Sequence, residues 1–285
     1  MKVPSWLDRA AYPFTSHTLK LPAGELHYVD EGRGTPVLLV HGNPTWSFLY
    51  REVIRALRVT HRCVAPDHLG FGLSEKPERW SYTPAGHAEN LTRLIEALGL
   101  RDITLVVHDW GGPIGLRYAT RRWHNVRALV VLNSWMWPLN RDPYYWGLGT
   151  LARSPLGRWL YLRHNLFVRR VMPLWFGGRR PLTRAVHAHY LRPAADRRAR
   201  YAIWRLSAAV LGSTPWLAEL WAARATLRAI PMQLVWGMKD LAFRRKELRR
   251  WRRAFPAARV CFLQEVGHFV PEEAPTSIVE SVRRV

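Results

Sequence analysis

The first half of the chain alternates short apolar, β-branched runs with longer stretches in which apolar residues recur every three or four positions. Residues 25–30, 36–40 and 62–65 read as strands, and 103–107 and 126–132 are continuous apolar runs, as in strands covered on both faces. Helical spacing runs over 46–57, and 86–98 is amphipathic with Gly99 as its stop. Strands joined by helices in this order predict an α/β fold with a mostly parallel central sheet and flanking helices. The pattern changes at Met136. From there to Arg228 it is helical and rich in Trp and Arg, broken by Pro138, Pro143, Pro155, Pro173, Pro181, Pro193 and Pro215. Strand character returns at 232–236 and 259–263. The expected organisation is a core of residues 1–135 and 229–285, with 136–228 inserted as a helical cap over the pocket.

Composition narrows this picture. A chain of 285 residues, 48% hydrophobic, can bury roughly three quarters of its unfolded surface, which suits one domain with one insertion. No stretch reaches the ~18 apolar residues of a membrane span. Pro4 and Asp8 interrupt the opening residues where a signal peptide needs an apolar run, so a cytoplasmic protein is expected. Cys63 and Cys261 each fall in an apolar strand-like run and are expected to be reduced core thiols.

The formal charge is +22, and 38 of the 43 basic residues are arginine. Residues 136–228 hold 16 of them against Asp142, Asp196 and Glu219, which is +13 of the total, together with seven of the fifteen tryptophans. A solvated arginine surface is the plain reading. The alternative is association of the basic cap with itself, with a membrane surface or with an acidic protein. No zinc-finger spacing or RNP-type motif accompanies the charge, so nucleic acid is not an expected partner.

The candidate chemistry lies in loops that follow strands, where open α/β sheets bind ligands. His108-Asp109-Trp110-Gly111-Gly112 joins a strand to a helix running to about Arg122, in the form of a nucleophile elbow with aspartate in place of serine. Val107 stands where the serine version has glycine. Alone, Asp109 could equally cap the helix. His41-Gly42-Asn43-Pro44 follows the strand 36–40, where a backbone N–H pairs with that of Trp110 as an oxyanion hole; a cis Pro44 would turn Asn43 inward. The loop 67–74, DHLGFGLS, reads as structural. After the insertion, Trp236-Gly237-Met238-Lys239-Asp240 and Val266-Gly267-His268-Phe269 each follow a late strand. The order is nucleophile, acid, base, and it is the combination that is specific. His41 and His108 read as braces for the loops. Trp110 could also merely wall the pocket, and Asn43 could bond neighbouring backbone.

The stretches HYVDEGRGTPVLLVHGNPTWSFLYR, APDHLGFGLSEKP, VVHDWGGPIGL, WGMKD and GHF resemble the haloalkane dehalogenase family, from about Tyr28 to His268. The resemblance implies the α/β-hydrolase fold. The Asn43–Trp110 pair with Asp109, His268 and Asp240 is similar to the third dehalogenase subfamily, and to the related β-lactone decarboxylases of olefin biosynthesis. The alternative acid position after the strand 126–132 holds uncharged Asn133.

The resemblance implies that Asp109 displaces halide from an apolar carbon and forms an alkyl ester. Asn43 and Trp110 hold the leaving anion, and His268, oriented by Asp240, activates the water that frees the enzyme. The expected ligands are a small apolar or long-chain substrate and a halide ion, with neither metal nor organic cofactor. A β-lactone decarboxylase on the same site is the first alternative. An epoxide hydrolase is the second, because Tyr144, Tyr145, Tyr161, Tyr190 and Tyr201 in the insertion could supply acids.

Overall fold

The computed structural model describes residues 4–285. Eight strands form one sheet: β1 (Ser16–Leu21), β2 (Gly24–Glu31), β3 (Pro36–Val40), β4 (Arg62–Pro66), β5 (Ile103–His108), β6 (Val126–Leu132), β7 (Met232–Gly237) and β8 (Arg259–Leu263). Their order is β1-β2-β4-β3-β5-β6-β7-β8. The first two strands pair antiparallel, as do β2 and β4. All other neighbours are parallel. β5 and β7 are buried along their whole length, as expected where helices cover both faces.

The chain leaves β3 for β4 on one side and then crosses to β5 on the other. The loops after β3 and β5 therefore diverge at the sheet centre and leave a crevice between them, the place where open α/β sheets bind ligands. Between β6 and β7 lie the inserted helices, among them Pro143–Arg153, Pro155–His164, Arg184–Leu191, Arg197–Gly212 and Thr214–Ala222. Pro143, Pro155 and Pro215 sit in the first turns of their helices. There a missing N–H costs nothing, so these prolines start helices rather than merely interrupting them.

Among the bonds that anchor the insertion to the core, two clusters stand beside β3 and its loop. Trp46 Nε1–H donates to the His189 carbonyl at 2.9 Å. Tyr190 and Arg51 both donate to the buried carboxylate of Glu272, with Arg51 Nη2 at 2.8 Å from Glu272 Oε2.

Several sequence expectations change. β1 was not anticipated; it is an edge strand whose side chains are mostly only half-buried, so its apolar alternation is faint. The helical spacing over 46–57 divides into a 3-10 turn, Ser47–Tyr50, and an α-helix, Arg51–Leu57. The helix expected at 86–98 begins earlier, at Pro84, because Thr83 Oγ1 caps it by accepting from Gly86 N–H at 3.2 Å. Both cysteines are free, but only Cys63 is a core thiol. Cys261 is half-exposed because β8 closes the sheet edge.

Candidate active site

The turn from β5 into the helix Gly111–Arg121 places Asp109 at φ +49°, a left-handed conformation that costs a non-glycine residue of order 1–3 kcal/mol. The surroundings hold it there. Its carbonyl accepts from Ser134 Oγ–H at 2.6 Å and from Gly112 N–H at 2.9 Å, and its own N–H reaches the Asn133 carbonyl at 3.3 Å. A Cβ on Gly111 would lie 2.1 Å from the Val40 carbonyl oxygen, so the elbow passes β3 only because that residue is glycine. Val107, the departure noted in the sequence, is accommodated from the other side. A Cβ on Gly115 would lie 2.8 Å from Val107 Cγ1, so the small residue sits on the helix instead of the strand.

Asp109 does not cap its helix. The N-cap is Trp110, with no side-chain bond. The Asp109 carboxylate is drawn to the β3 loop instead: Asn43 N–H donates to Oδ1 at 2.7 Å, and the nearby Trp110 N–H also favours its ionised form. Oδ2 lies 3.8 Å from His268 Nε2. Burial pushes the Asp109 carboxyl up to about 6, although the His268 charge and the two backbone donors oppose the shift.

His268 Nδ1–H donates to Asp240 Oδ2 at 3.0 Å, while Nε2 is buried with no protein partner among the described residues. Burial works against protonation of this imidazole. The neighbouring charges of Asp240 and then Asp109 outweigh it and hold the pKa above the ordinary histidine value. Asp240 accepts two further bonds, from Ala242 N–H and from Asn133 Nδ2–H, both at 2.6 Å. Asn133 is fixed in turn by Gly237, whose N–H donates to its Oδ1 at 2.7 Å and whose carbonyl accepts from Nδ2 at 3.1 Å. Glu273 accepts from Gly267 N–H and from Gly177 N–H, each at 2.9 Å, tying the His268 loop to the insertion.

In front of Asp109 lies a cavity of about 180 Å³ lined by Asn43, Asp109 and Trp110 from the core and by apolar residues of the insertion such as Leu148, Leu151, Phe167 and Val210. A carboxylate that lines an apolar cavity, with one oxygen held by a backbone N–H and the other beside an oriented histidine, can perform displacement at carbon followed by hydrolysis.

The family profile described as the alpha/beta hydrolase fold matches residues 35–154. Haloalkane dehalogenase 2 of Mycobacterium tuberculosis is 41% identical over 279 residues, 96% of this chain and 96% of the relative. The chain belongs to the haloalkane dehalogenase family. Within reach of this dehalogenase-family enzyme stands a second kind of relative. The cis-3-alkyl-4-alkyloxetan-2-one decarboxylase of Shewanella oneidensis is 33% identical over 281 residues, 95% of this chain and 88% of the relative. Among solved structures, haloalkane dehalogenase DbeA from Bradyrhizobium elkani superposes with a TM-score of 0.84 at 28% identity, covering 94% of this chain and 96% of that one.

Of the five residues singled out in the sequence of this dehalogenase relative, Asn43, Asp109 and Trp110 line one cavity, and His268 and Asp240 stand behind Asp109. Asn43–Pro44 is cis. Asn43 Nδ2–H donates to Ser207 Oγ at 2.9 Å and to the Ile203 carbonyl at 3.3 Å, so its amide nitrogen points to the insertion, and its Oδ1 is buried without a partner among the described residues.

The bracing histidines are as expected. His41 Nδ1–H donates to the Gly42 carbonyl, its Nε2 accepts from His68 N–H, and His108 Nε2–H donates to the His268 carbonyl. The 67–74 loop is structural: Asp67 accepts from Ser47 N–H and Leu73 N–H, both at 2.7 Å, and from His27.

Three residues escaped the sequence reading. Asn133 is read there only as an uncharged residue at the alternative acid position, and Ser134 and Trp135 not at all. The Trp135 ring lies 4.7 Å from Trp110, and its Nε1–H is buried with no acceptor among the described residues. The available signal was position: all three follow the parallel strand β6, between the strands that carry Asp109 and Asp240.

Proposed function

We propose that this enzyme hydrolyses haloalkanes to an alcohol and a halide through an ester on Asp109, with residues 136–228 serving as the cap. The observation that carries the reading is the division of labour between the oxygens of Asp109, which lines the apolar cavity: Oδ1 is bonded to Asn43 N–H, and Oδ2 lies 3.8 Å from His268 Nε2. Oδ2 attacks the carbon that bears the halogen, in line with the leaving halide. The C–O bond forms as the carbon–halogen bond breaks, and the halide leaves with the electron pair, needing no proton. His268 then takes a proton from water, whose oxygen attacks the Asp109 side-chain carbonyl. The charge that develops on Oδ1 falls where the Asn43 N–H already donates, with the Trp110 N–H nearby. Collapse breaks the Cγ–Oδ2 bond; the leaving alkoxide takes the proton held by His268 and departs as the alcohol, and the new carboxyl loses its own proton to solvent and is a carboxylate again.

In this reading Trp110 and Asn43 bind the halide. For Asn43 this needs its amide turned over, which exchanges the buried, unpartnered Oδ1 for N–H donors and lets Oδ1 accept from the Ser207 hydroxyl instead.

The decarboxylase reading keeps the same site and is favoured by one observation, the 33% identity to a relative named for that activity across nearly the whole chain. A cis-β-lactone would there lose CO2 and leave an olefin. Against a long two-tailed lactone stands the cavity volume, below the ~300–1,000 Å³ of sites that enclose drug-sized ligands. The epoxide reading loses most of its acids. Tyr144 and Tyr145 donate to the Leu241 and Ala242 carbonyls and Tyr190 to Glu272, which leaves Tyr161 beside the cavity.

The deciding experiment uses His268→Phe. With 1-bromoalkanes or 1-iodoalkanes it is expected to release about one halide per enzyme and to gain the mass of the alkyl group on Asp109, while wild type turns over. Wild type that releases olefin from a cis-β-lactone and no halide from any haloalkane would replace this reading with the decarboxylase one. Stalled His268→Phe without an adduct would remove the ester.

A further inference from the structure

We propose that the outer face of the cap docks on an anionic lipid surface, so that apolar substrate passes between the bilayer and the active-site mouth. The proposal deepens the functional reading above and rests on it for the substrate's apolar character. No helix among the described residues is long and apolar enough to cross a membrane, so the association is peripheral.

The surface runs without a break from the reaction cavity outward. Leu148 and Leu151 line that cavity, yet are 43% and 50% exposed, so they form its rim. Leu166 lines the cavity and also a neighbouring surface groove that holds Trp159, Arg169 and Arg170. Trp159 in turn borders a second groove with Arg153, Arg158 and Arg163. On the helix Pro155–His164, Leu156 and Trp159 are one turn apart and are 57% and 53% exposed. Large apolar side chains half in water around a cavity mouth, ringed by arginine, are the pattern of an interfacial contact rather than of a plain solvated surface.

Charge selects the occupant. Among the described residues, Arg198 is the cap arginine paired with a carboxylate from its own segment, through Asp196, and it also reaches Glu78. None of Arg153, Arg158, Arg163, Arg169 and Arg170 forms such a pair among the described residues. An anionic surface attracts a basic side chain by about 1 kcal/mol each, and Trp and Leu then add apolar area at the headgroup boundary. A polyanion such as nucleic acid would use the arginines but leave Leu148, Leu151 and Leu156 in water. A lipid surface uses both.

The reason for docking is geometric. A substrate chain longer than the 180 Å³ cavity has to leave through the leucine rim. If the rim faces hydrocarbon, the tail is never exposed to water.

The test is co-sedimentation of the full chain with vesicles of phosphatidylserine and phosphatidylcholine, against vesicles of phosphatidylcholine alone. Binding is expected to the anionic vesicles only and to weaken as salt rises. Replacing Arg153, Arg163 and Arg170 together by Ala is expected to cut partitioning on the order of 100-fold, from about 1 kcal/mol for each arginine. Leu156→Ser with Trp159→Ser, which keeps every charge, is expected to cut it tenfold or more.

Both variants are expected to turn over a short, water-soluble bromoalkane like wild type, so failure of the functional reading shows in that assay and failure of docking in the vesicle assay. Absence of binding at low salt overturns the proposal. So does binding untouched by the Leu156 and Trp159 changes, which would mark a general polyanion site. A self-associated form in sedimentation that those two changes dissolve would give the face to a second copy of this chain.

Discussion

On the core side of the cavity Asp109, Asn133, Asp240 and His268 are all buried; the Asp109 carboxylate accepts from Asn43 N–H, and the Asp240 carboxylate accepts three hydrogen bonds. On the cap side Leu148, Leu151, Phe167 and Val210 meet the cavity with apolar surface, and Ser207 bonds outward to Asn43. Charges can be kept in a low-dielectric place only where donors are fixed in advance. The parallel sheet supplies such fixed points at its strand ends, and inserted helices anchored at a few bonds do not. In the proposed reading chemistry therefore belongs to the core and selection to the inserted helices as a cap, and the two should respond to substitution on different scales.

The largest expected effect is at Asp109. Asp109→Asn keeps the shape and is expected to abolish turnover, by the ~10⁴-fold or more that loss of a nucleophile costs, while circular dichroism stays that of wild type. It should also melt no lower. The folded carboxyl stands at about 6, above its ordinary 3.8, so the favourable contribution of its neutral form is complete below about 4 and is lost as pH rises through 6. A permanently neutral amide avoids that loss at neutral pH. Retained activity would break the core half of the comparison.

Next comes Asn133→Ala. It removes one of the three donors to Asp240 and frees the Gly237 backbone. Hydrolysis of the ester is expected to slow ~10–100-fold through misorientation of His268, with the initial halide burst preserved. A lost burst would mean that Asn133 supports the elbow rather than the base.

Asn133 also shows where legibility in the sequence ended. The elbow, the late Asp and the late His were visible because each sits directly after an apolar strand run, and the cap because the strand pattern stops and resumes. The bond from Asn133 to Asp240 joins residues 107 positions apart, and only the neighbouring of β6 and β7 brings them together. The same holds for Cys261: a strand run looks alike at the edge and the centre of a sheet, and strand order decides exposure. In the cap, helices were evident from spacing, but which face of each met the cavity depends on packing that no spacing records.

A smaller and graded effect is expected from pH. In the proposed mechanism Asp109 must be ionised to attack, so the rate of the halide burst should fall about tenfold per unit below pH 6. His268 must be neutral to take a proton from water. Burial lowers its pKa, and the Asp240 and Asp109 charges raise it by more. In the ester the Asp109 charge is gone, so the imidazole loses one of its raising neighbours and deprotonates at lower pH than in the free enzyme. Rapid-mixing measurement of the burst and of ester decay as separate pH profiles checks this. A burst rate flat down to pH 5 would show that Asp109 is not held near 6.

The smallest effect should lie on the cap rim, where Leu148→Ala and Leu151→Ala test whether selection is separable from chemistry. Each leucine is about half exposed, so truncation removes roughly half of the ~1.5–3 kcal/mol that full burial of such a side chain contributes. Substrate held against the rim then binds up to about tenfold more weakly, and a chain too short to reach the rim binds as before. The burst rate at saturation should stay within a factor of about two, because neither residue touches Asp109, His268 or Asp240. Measured over a series of 1-bromoalkanes, the loss should therefore appear in KM and grow with chain length until the chain passes the rim. An equal loss in kcat for all chains would mean that the cap also positions the reacting carbon, and the separation of roles between core and cap would fail.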